Sequence, residues 1–375
     1  MRAPLSLGRL LAVARKETIQ LRRDPRSLGM AFVLPAVMVL AFGWVISFDI
    51  RDIRMAVYDE DRSAASRAIQ DAFTASGYFV ITHHLASYGD AEPLLDRGAV
   101  RLVLVIPPRF QARLHGGGPA PVQALVDGSD ANTATIALTY ARGVVAAYSS
   151  RALLGARAVT PAITAATRVW YNEELRSSNM IVPGLIAVIM MIIAAMLTSL
   201  TIAREWERGT MEQLAATPVH PVEIIVGKLL PYLGIGLIDV LVTGFIGDVV
   251  FAVPFRGNFL FFLGASLFFL VGALGIGLFV SAALKSQMLA VQVAMVATYL
   301  PSFLLSGFMF DIIQMPKALQ AIALVVPARY FITAVRGIFL KGVGPEVLWP
   351  FGLGMMVFAA LGLALAVRAF RKELA

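Results

Sequence analysis

Runs of about twenty apolar residues recur along this chain, separated by segments that hold most of its charge. A helix rises about 1.5 Å per residue, so about twenty such residues cross the roughly 30 Å hydrocarbon layer of a bilayer. Six runs reach that length: residues 28–48, 180–202, 224–253, 259–284, 289–310 and 348–367. A further apolar stretch, 318–340, is broken by Pro327, Arg329 and Arg336, which predicts an interfacial or re-entrant segment rather than a span. Ahead of the first run, Leu7, Leu10, Leu11, Ala14, Thr18 and Leu21 fall on one helical face and Arg9, Lys16, Gln20 and Arg23 on the other. That pattern predicts an amphipathic helix lying in the membrane interface, ended by Asp24-Pro25.

Residues 49–178 read differently. The pattern predicts strands at 53–58, 78–81, 101–106 and 122–126, with helices at 64–75 and 93–97. A long helix over 130–155 leads back toward the membrane, and Gly116-Gly117-Gly118-Pro119 marks a turn before the last strand. Alternating strands and helices indicate a small α/β layer. The predicted fold class is therefore a polytopic α-helical membrane protein with six transmembrane helices and an α/β extracytoplasmic domain inserted between the first and second. The domains expected are a cytoplasmic amphipathic helix in 1–27, the first transmembrane helix in 28–48, the extracytoplasmic domain in 49–178 and a five-helix transmembrane region in 179–375.

Composition agrees. Of 375 residues, 58% are hydrophobic and 15% charged, against about 25% charged in soluble domains, and the mean hydropathy is +0.76. The net charge of +8 is placed beside the spans, which fits anionic lipid and the positive-inside bias rather than nucleic acid. Arg2, Arg9, Arg15, Lys16, Arg22, Arg23 and Arg26 precede the first span, Arg204 and Arg208 follow the second, and Arg368, Arg371 and Lys372 follow the sixth. These put both termini in the cytoplasm; Lys317, Arg329, Arg336 and Lys341 dissent from within the broken segment. The first apolar run lacks a small-residue cleavage site, so it is expected to be a retained span. There is no cysteine, hence no disulfide, thiolate metal site or cysteine nucleophile.

The residues give no enzyme site. Gly227-Lys228 lacks the rest of a phosphate-binding loop, and Gly272, Gly275 and Gly277 lie within a span, where close helix packing accounts for them. His83 and His84 point to opposite faces of a strand and cannot chelate together. Asp59, Glu60 and Asp61 follow a strand end as solvated loop, and no metal or cofactor is expected. Two features stand out. The loop 204–217 holds Thr210 and Gln213 at capping-box spacing, with Pro218 as a stop. A short helix there would expose Met211 and Leu214 as apolar anchors and offer Glu205, Glu207 and Glu212 as charges for a docked partner, with Gly209 turning the chain into it. The second feature is the third span, where Lys228 can snorkel but Asp239, near mid-span, cannot; it should face the bundle interior, either as an interhelical hydrogen bond or as part of a transport pathway.

The loop from Arg204-Glu205-Trp206-Glu207-Arg208-Gly209-Thr210-Met211-Glu212 through Leu214 and Thr217-Pro218 to Gly227-Lys228 resembles the type-2 ABC exporter permeases. So do Arg168–Arg176 with Val182-Pro183-Gly184, although Glu173 stands where many members have Pro. Met315-Pro316 with Pro327-Ala328-Arg329-Tyr330-Phe331 matches as well. The likeness covers the whole chain and is nearest to the bacterial subgroup with a large extracytoplasmic domain, which includes multidrug exporters. It implies a plasma (inner) membrane permease that moves amphiphilic or drug-like substrates outward. The implied partners are a separate ABC ATP-binding subunit, a second permease copy or homologue and, as a further candidate, a periplasmic adaptor. The amphipathic helix would be the family's elbow helix, and 204–217, with Glu205, Glu207, Arg208, Gly209, Thr210, Met211, Glu212 and Leu214, its coupling helix. An ion-gradient-driven secondary transporter would use Asp239 but needs inverted repeats that the sequence lacks. A membrane-anchored extracytoplasmic sensor would need a signalling module that is equally missing.

Overall fold

A computed structural model of the chain describes residues 5–46, 52–116, 118–128, 131–154, 171–172 and 176–370. The chain divides into two units, one of Met1–Ser47 with Val169–Ala375 and the other of Phe48–Arg168. The first unit opens with α1 (Leu7–Arg22) and α2 (Pro25–Val45). Asp24 separates them: its carboxylate accepts hydrogen bonds from the Ser27 backbone N–H and hydroxyl at 3.3 and 2.7 Å, and Pro25 fills the first helical position, where no N–H is needed.

The second unit is a four-stranded sheet in the order β2-β1-β3-β4. In chain order it comprises β1 (Ile53–Asp59), α3 (Ala64–Ala75), β2 (Phe79–His84), α4 (Ala91–Asp96), β3 (Leu102–Ile106), α5 (Phe110–His115), β4 (Gln123–Val126) and α6 (Ala131–Leu154). β1 runs parallel to β2 and β3, and β4 is antiparallel to β3. One face is sealed by Ile69 and Phe73 of α3, Phe110 of α5 and Ala137 and Ala141 of α6, packed on Met55, Val57, Leu102 and Leu104. Ala91, Val100 and Leu94 cover Ala56, Val103 and Val105 on the other face. β3 is buried along its whole length, which explains why it reads as an unbroken apolar run rather than as an alternating one. His83 and His84 end β2 as exposed side chains. Asp61 is held below the ordinary carboxylate range by the Ser63 hydroxyl and then by backbone N–H groups at the start of α5. The expected glycine turn is described except for residue 117, and positions 130 and 155 of the predicted long helix lie outside the described residues.

The first unit resumes with α7 (Ser177–Glu207), α8 (Met211–Ala216), α9 (Pro221–Val249), α10 (Phe259–Leu284), α11 (Gln287–Leu304), α12 (Lys317–Ala323), α13 (Pro327–Arg336) and α14 (Pro345–Ala369). Among the described residues, six helices are long and apolar enough to cross a membrane: α2, α7, α9, α10, α11 and α14. α7 is the hub, with 89% of its apolar window buried, while only 17–33% is buried in α2, α9, α11 and α14. The close approaches are made at glycine. A Cβ on Gly277 would lie 2.3 Å from the Ala195 carbonyl of α7, and one on Gly275 would lie 2.7 Å from the Gly362 backbone of α14. The predicted broken segment is α12 followed by α13, bent by 79°, where Pro327 forces Val326 out of helical geometry. Arg336 at the end of α13 is satisfied by carbonyls, donating to Met180, Gly307 and Phe308 at 3.1, 3.1 and 3.4 Å.

The protein contact of α1 runs along one edge of its apolar face. Val13, Glu17 and Leu21 are buried, whereas Leu7 and Leu11 are 71% and 53% exposed. The cause is Gly227 of α9, where a Cβ would meet Val13 at 2.8 Å and the Leu10 carbonyl at 2.9 Å. α1 therefore lies against α9 nearly backbone to backbone, and Leu7 and Leu11 are left facing outward.

Candidate functional site

The four-residue spacing that buries Val13 and Leu21 buries Glu17 between them. Next to the glycine that admits α1, α9 carries Lys228, only 2% exposed. The Lys228 ammonium lies 2.9 Å from Glu17 and 3.4 Å from Glu205 at the end of α7. Lys16 closes on Glu205 at 2.7 Å, and the Tyr232 hydroxyl donates to Glu17 at 3.3 Å. Two carboxylates and two ammonium groups thus neutralise one another at a junction of α1, α7 and α9. Buried charge is tolerated on such terms, when it is paired and hydrogen-bonded.

Further pins surround this cluster. Arg9 grips Glu223 with Nε and Nη2 at 3.0 and 2.8 Å, and Glu223 also accepts from the His220 backbone at 2.8 Å, capping α9. Arg204 reaches Asp24 at 3.1 Å. Burial pushes the Asp24 carboxyl up, but the Ser27 bonds and the Arg204 charge outweigh it and hold the group below its ordinary value. Glu207 accepts from the Gln287 backbone at 2.7 Å and from its side-chain amide, tying α7 to α11. Lys285 sits 4.2 Å from the centre of the Trp206 ring.

α8 hangs from this junction. Gly209 has φ +69°, the left-handed turn expected of it. The capping box does not form, because Thr210 has helical dihedrals and makes no cap bond. Its hydroxyl donates to the Glu205 carboxylate and approaches the Glu205 carbonyl at 3.4 Å. The competing acceptor is a buried carboxylate, stronger than a neutral amide. Met211 is not an exposed anchor but 2% exposed, inside the permease. Glu205 and Glu207 are likewise spent internally, leaving Arg208, Glu212 and a half-buried Leu214 toward the outside. α8 is thus tied to α7 through Gly209–Thr210 and, through the charge cluster, to α1 and α9.

Sequence reasoning missed Glu17 and treated Lys228 as a snorkelling residue. The signal was there: a carboxylate within an apolar stripe at 10, 13, 17 and 21, and a lysine inside a span, each without a local counter-ion. Asp239 does face the interior. It is 2% exposed, its Oδ1 has no hydrogen-bond partner among the described residues, and it borders a cavity of about 10 Å³ lined by Met190, Leu197, Tyr232, Gly236 and Leu270. A cavity of that size is at the threshold for one water. The Arg168–Arg176 stretch falls mostly outside the described residues; within it, Asn172 and Arg176 bond to each other at 3.0 Å.

Residues 25–368 match the family described as ABC-2 family transporter protein. The chain is 37% identical over 348 residues to "Probable multidrug ABC transporter permease YbhS" of Escherichia coli (strain K12), covering 92% of each chain. It is 28% identical over 365 residues to "Probable multidrug ABC transporter permease YbhR" of the same strain, covering 97% of this chain and 99% of the other. It is 27% identical over 328 residues to the E. coli "Inner membrane transport permease YhhJ", covering 85% of each. With six apolar helices among the described residues, α7 one of them, and a match over nearly the whole length, the chain belongs to the ABC-2 transporter family, as a multi-pass membrane permease, a transport subunit rather than an enzyme.

Proposed function

We propose that this permease is the membrane half of an ATP-driven exporter, worked by a separate ATP-binding subunit that docks on α8 and the adjoining Arg208-Gly209. The observation that carries this is the attachment of α8. A six-residue helix with a buried Met211 and a hydroxyl bonded to Glu205 has no slack in which to absorb a push. In this reading α1 is the elbow helix, the termini and α8 are cytoplasmic, and Phe48–Arg168 is extracytoplasmic. A second copy or a homologous permease completes the pathway, and a periplasmic adaptor joins through the α/β unit where one is encoded. The substrate class is amphiphilic or drug-like, in keeping with relatives named as multidrug permeases. Asp239 is the polar group offered to the pathway, and its orphaned oxygen is the reason.

The test is co-purification of the ATP-binding subunit together with substrate-stimulated hydrolysis in lipid. Leu214→Asp, at the half-buried outer edge of α8, should abolish both while the permease inserts normally. Wild-type values for both would move the docking site elsewhere.

A further inference from the structure

Beside the charge cluster, between α1, α2 and the end of α7, lies a cavity of about 760 Å³. Its polar wall carries Lys16 from α1, Arg23 just past its end, Arg204 from α7 and Arg208 just beyond it, against a single carboxylate, Asp24. Lys16 is engaged by Glu205 and Arg204 by Asp24. Arg23 and Arg208 are exposed and have no carboxylate partner among the described residues. Two guanidinium groups from different parts of the chain thus face one concavity with their charge unspent. A guanidinium is the side chain best suited to a phosphate.

The other wall is apolar, formed by Ile19, Met30 and Leu200. From Met30 an exposed stripe runs along α2 through Val33, Leu34 and Val37 to Trp44, with exposures of 37, 63, 39, 53 and 66%. These positions repeat at helical spacing on one face. From Met30 to Trp44 the helix rises about 21 Å, enough to cross one leaflet of roughly 15 Å. An anion-binding head continuous with an apolar track of that length has the dimensions of a phospholipid.

We infer that this cavity binds the headgroup of an anionic phospholipid, with the phosphate between Arg23 and Arg208 and an acyl chain along the Met30–Trp44 stripe of α2. Basic pockets beside membrane helices hold anionic headgroups in this way. The inference does not depend on what the permease transports. A free phosphate would use the guanidinium groups but leave the stripe without a role, and an acidic protein segment would do the same.

The experiment uses the full-length purified permease after delipidation. Native mass spectrometry and thermal unfolding follow titration with phosphatidylglycerol, with phosphatidylcholine of the same chains, and with inorganic phosphate. The expected result is retention of, and stabilisation by, phosphatidylglycerol alone. Arg23→Gln/Arg208→Gln should weaken that binding by about tenfold or more, by the contribution of two basic residues. Arg15→Gln/Arg22→Gln removes the same charge from exposed positions of α1 outside the cavity and should leave it within about twofold. Equal retention of phosphatidylcholine, equal loss in the two double variants, or displacement by inorganic phosphate would each overturn the inference. So would phosphatidylglycerol binding that survives Arg23→Gln/Arg208→Gln.

Discussion

The ammonium of Lys228 in α9 lies 2.9 Å from the carboxylate of Glu17 in α1, with both side chains at most 4% exposed. Removing one partner of a buried pair leaves an uncompensated charge, which costs about 3–5 kcal/mol. Lys228→Met leaves Glu17 and Glu205 facing each other with only Lys16 to share. Its melting temperature in detergent should fall by several degrees, and adding Glu17→Leu should recover part of the loss. An unchanged melting temperature for Lys228→Met alone would mean that the cluster contributes nothing to holding α1.

The glycines of α10 predict a contrast within one helix. A Cβ at Gly277 would lie 2.1 Å from the Thr198 hydroxyl and 2.3 Å from a carbonyl of α7, whereas one at Gly264 meets nothing within 4 Å. Gly277→Ala should destabilise the permease by about 1–3 kcal/mol. Gly264→Ala should be neutral or stabilising by about 0.4–1 kcal/mol, through the unfolded chain. Thermal unfolding of the two variants side by side reads both signs.

Asp239→Asn keeps the shape of the side chain and removes its capacity for charge at a depth where a carboxylate costs roughly 2.5–3.5 kcal/mol. Abundance in the membrane should be unchanged or higher, and transport should fall. A transport rate equal to wild type would make Asp239 a tolerated polar residue with no part in the pathway.

The side of the membrane that holds the α/β unit is open to chemical labelling, because the chain has no cysteine to give background. Ala68, exposed on α3, is a suitable position. Ala68→Cys should react with an impermeant maleimide in intact spheroplasts. Labelling only after lysis would put the unit in the cytoplasm and reverse the topology.

Spans were legible where sequence contrast is sharp. α10 begins and ends at the predicted residues, Phe259 and Leu284, because Arg256 and Lys285 bracket an uncharged run. They were over-read where an apolar loop is buried. α9 stops at Val249 rather than at 253, since Phe251 and Val253 are buried in the turn, and α11 stops at Leu304, where Ser306 and Gly307 break the helix. The site was legible as a segment but not as an arrangement. Residue spacing, the Pro218 stop and the family motif identified 204–217. The partners of Glu205 and Glu207 are Lys228, 23 residues on, and Gln287, 80 residues on, and no local pattern reports pairings at those distances. Thr210 misled because capping geometry is a local expectation, and a distant lysine had fixed a better acceptor beside it.

Glu17 and Lys228 are separated by 211 residues of chain. At a synthesis rate of about 5–20 residues per second, α1 leaves the ribosome on the order of ten to forty seconds before its counter-ion exists. For that interval Glu17 has no lysine to neutralise it and α1 has no α9 to lie on. The outward leucines, Leu7 and Leu11, give the helix something to hold in the meantime, since lipid is present from the start. On the proposed placement of α1 at the membrane interface, that exposed face would keep the nascent helix there until the chain catches up with it.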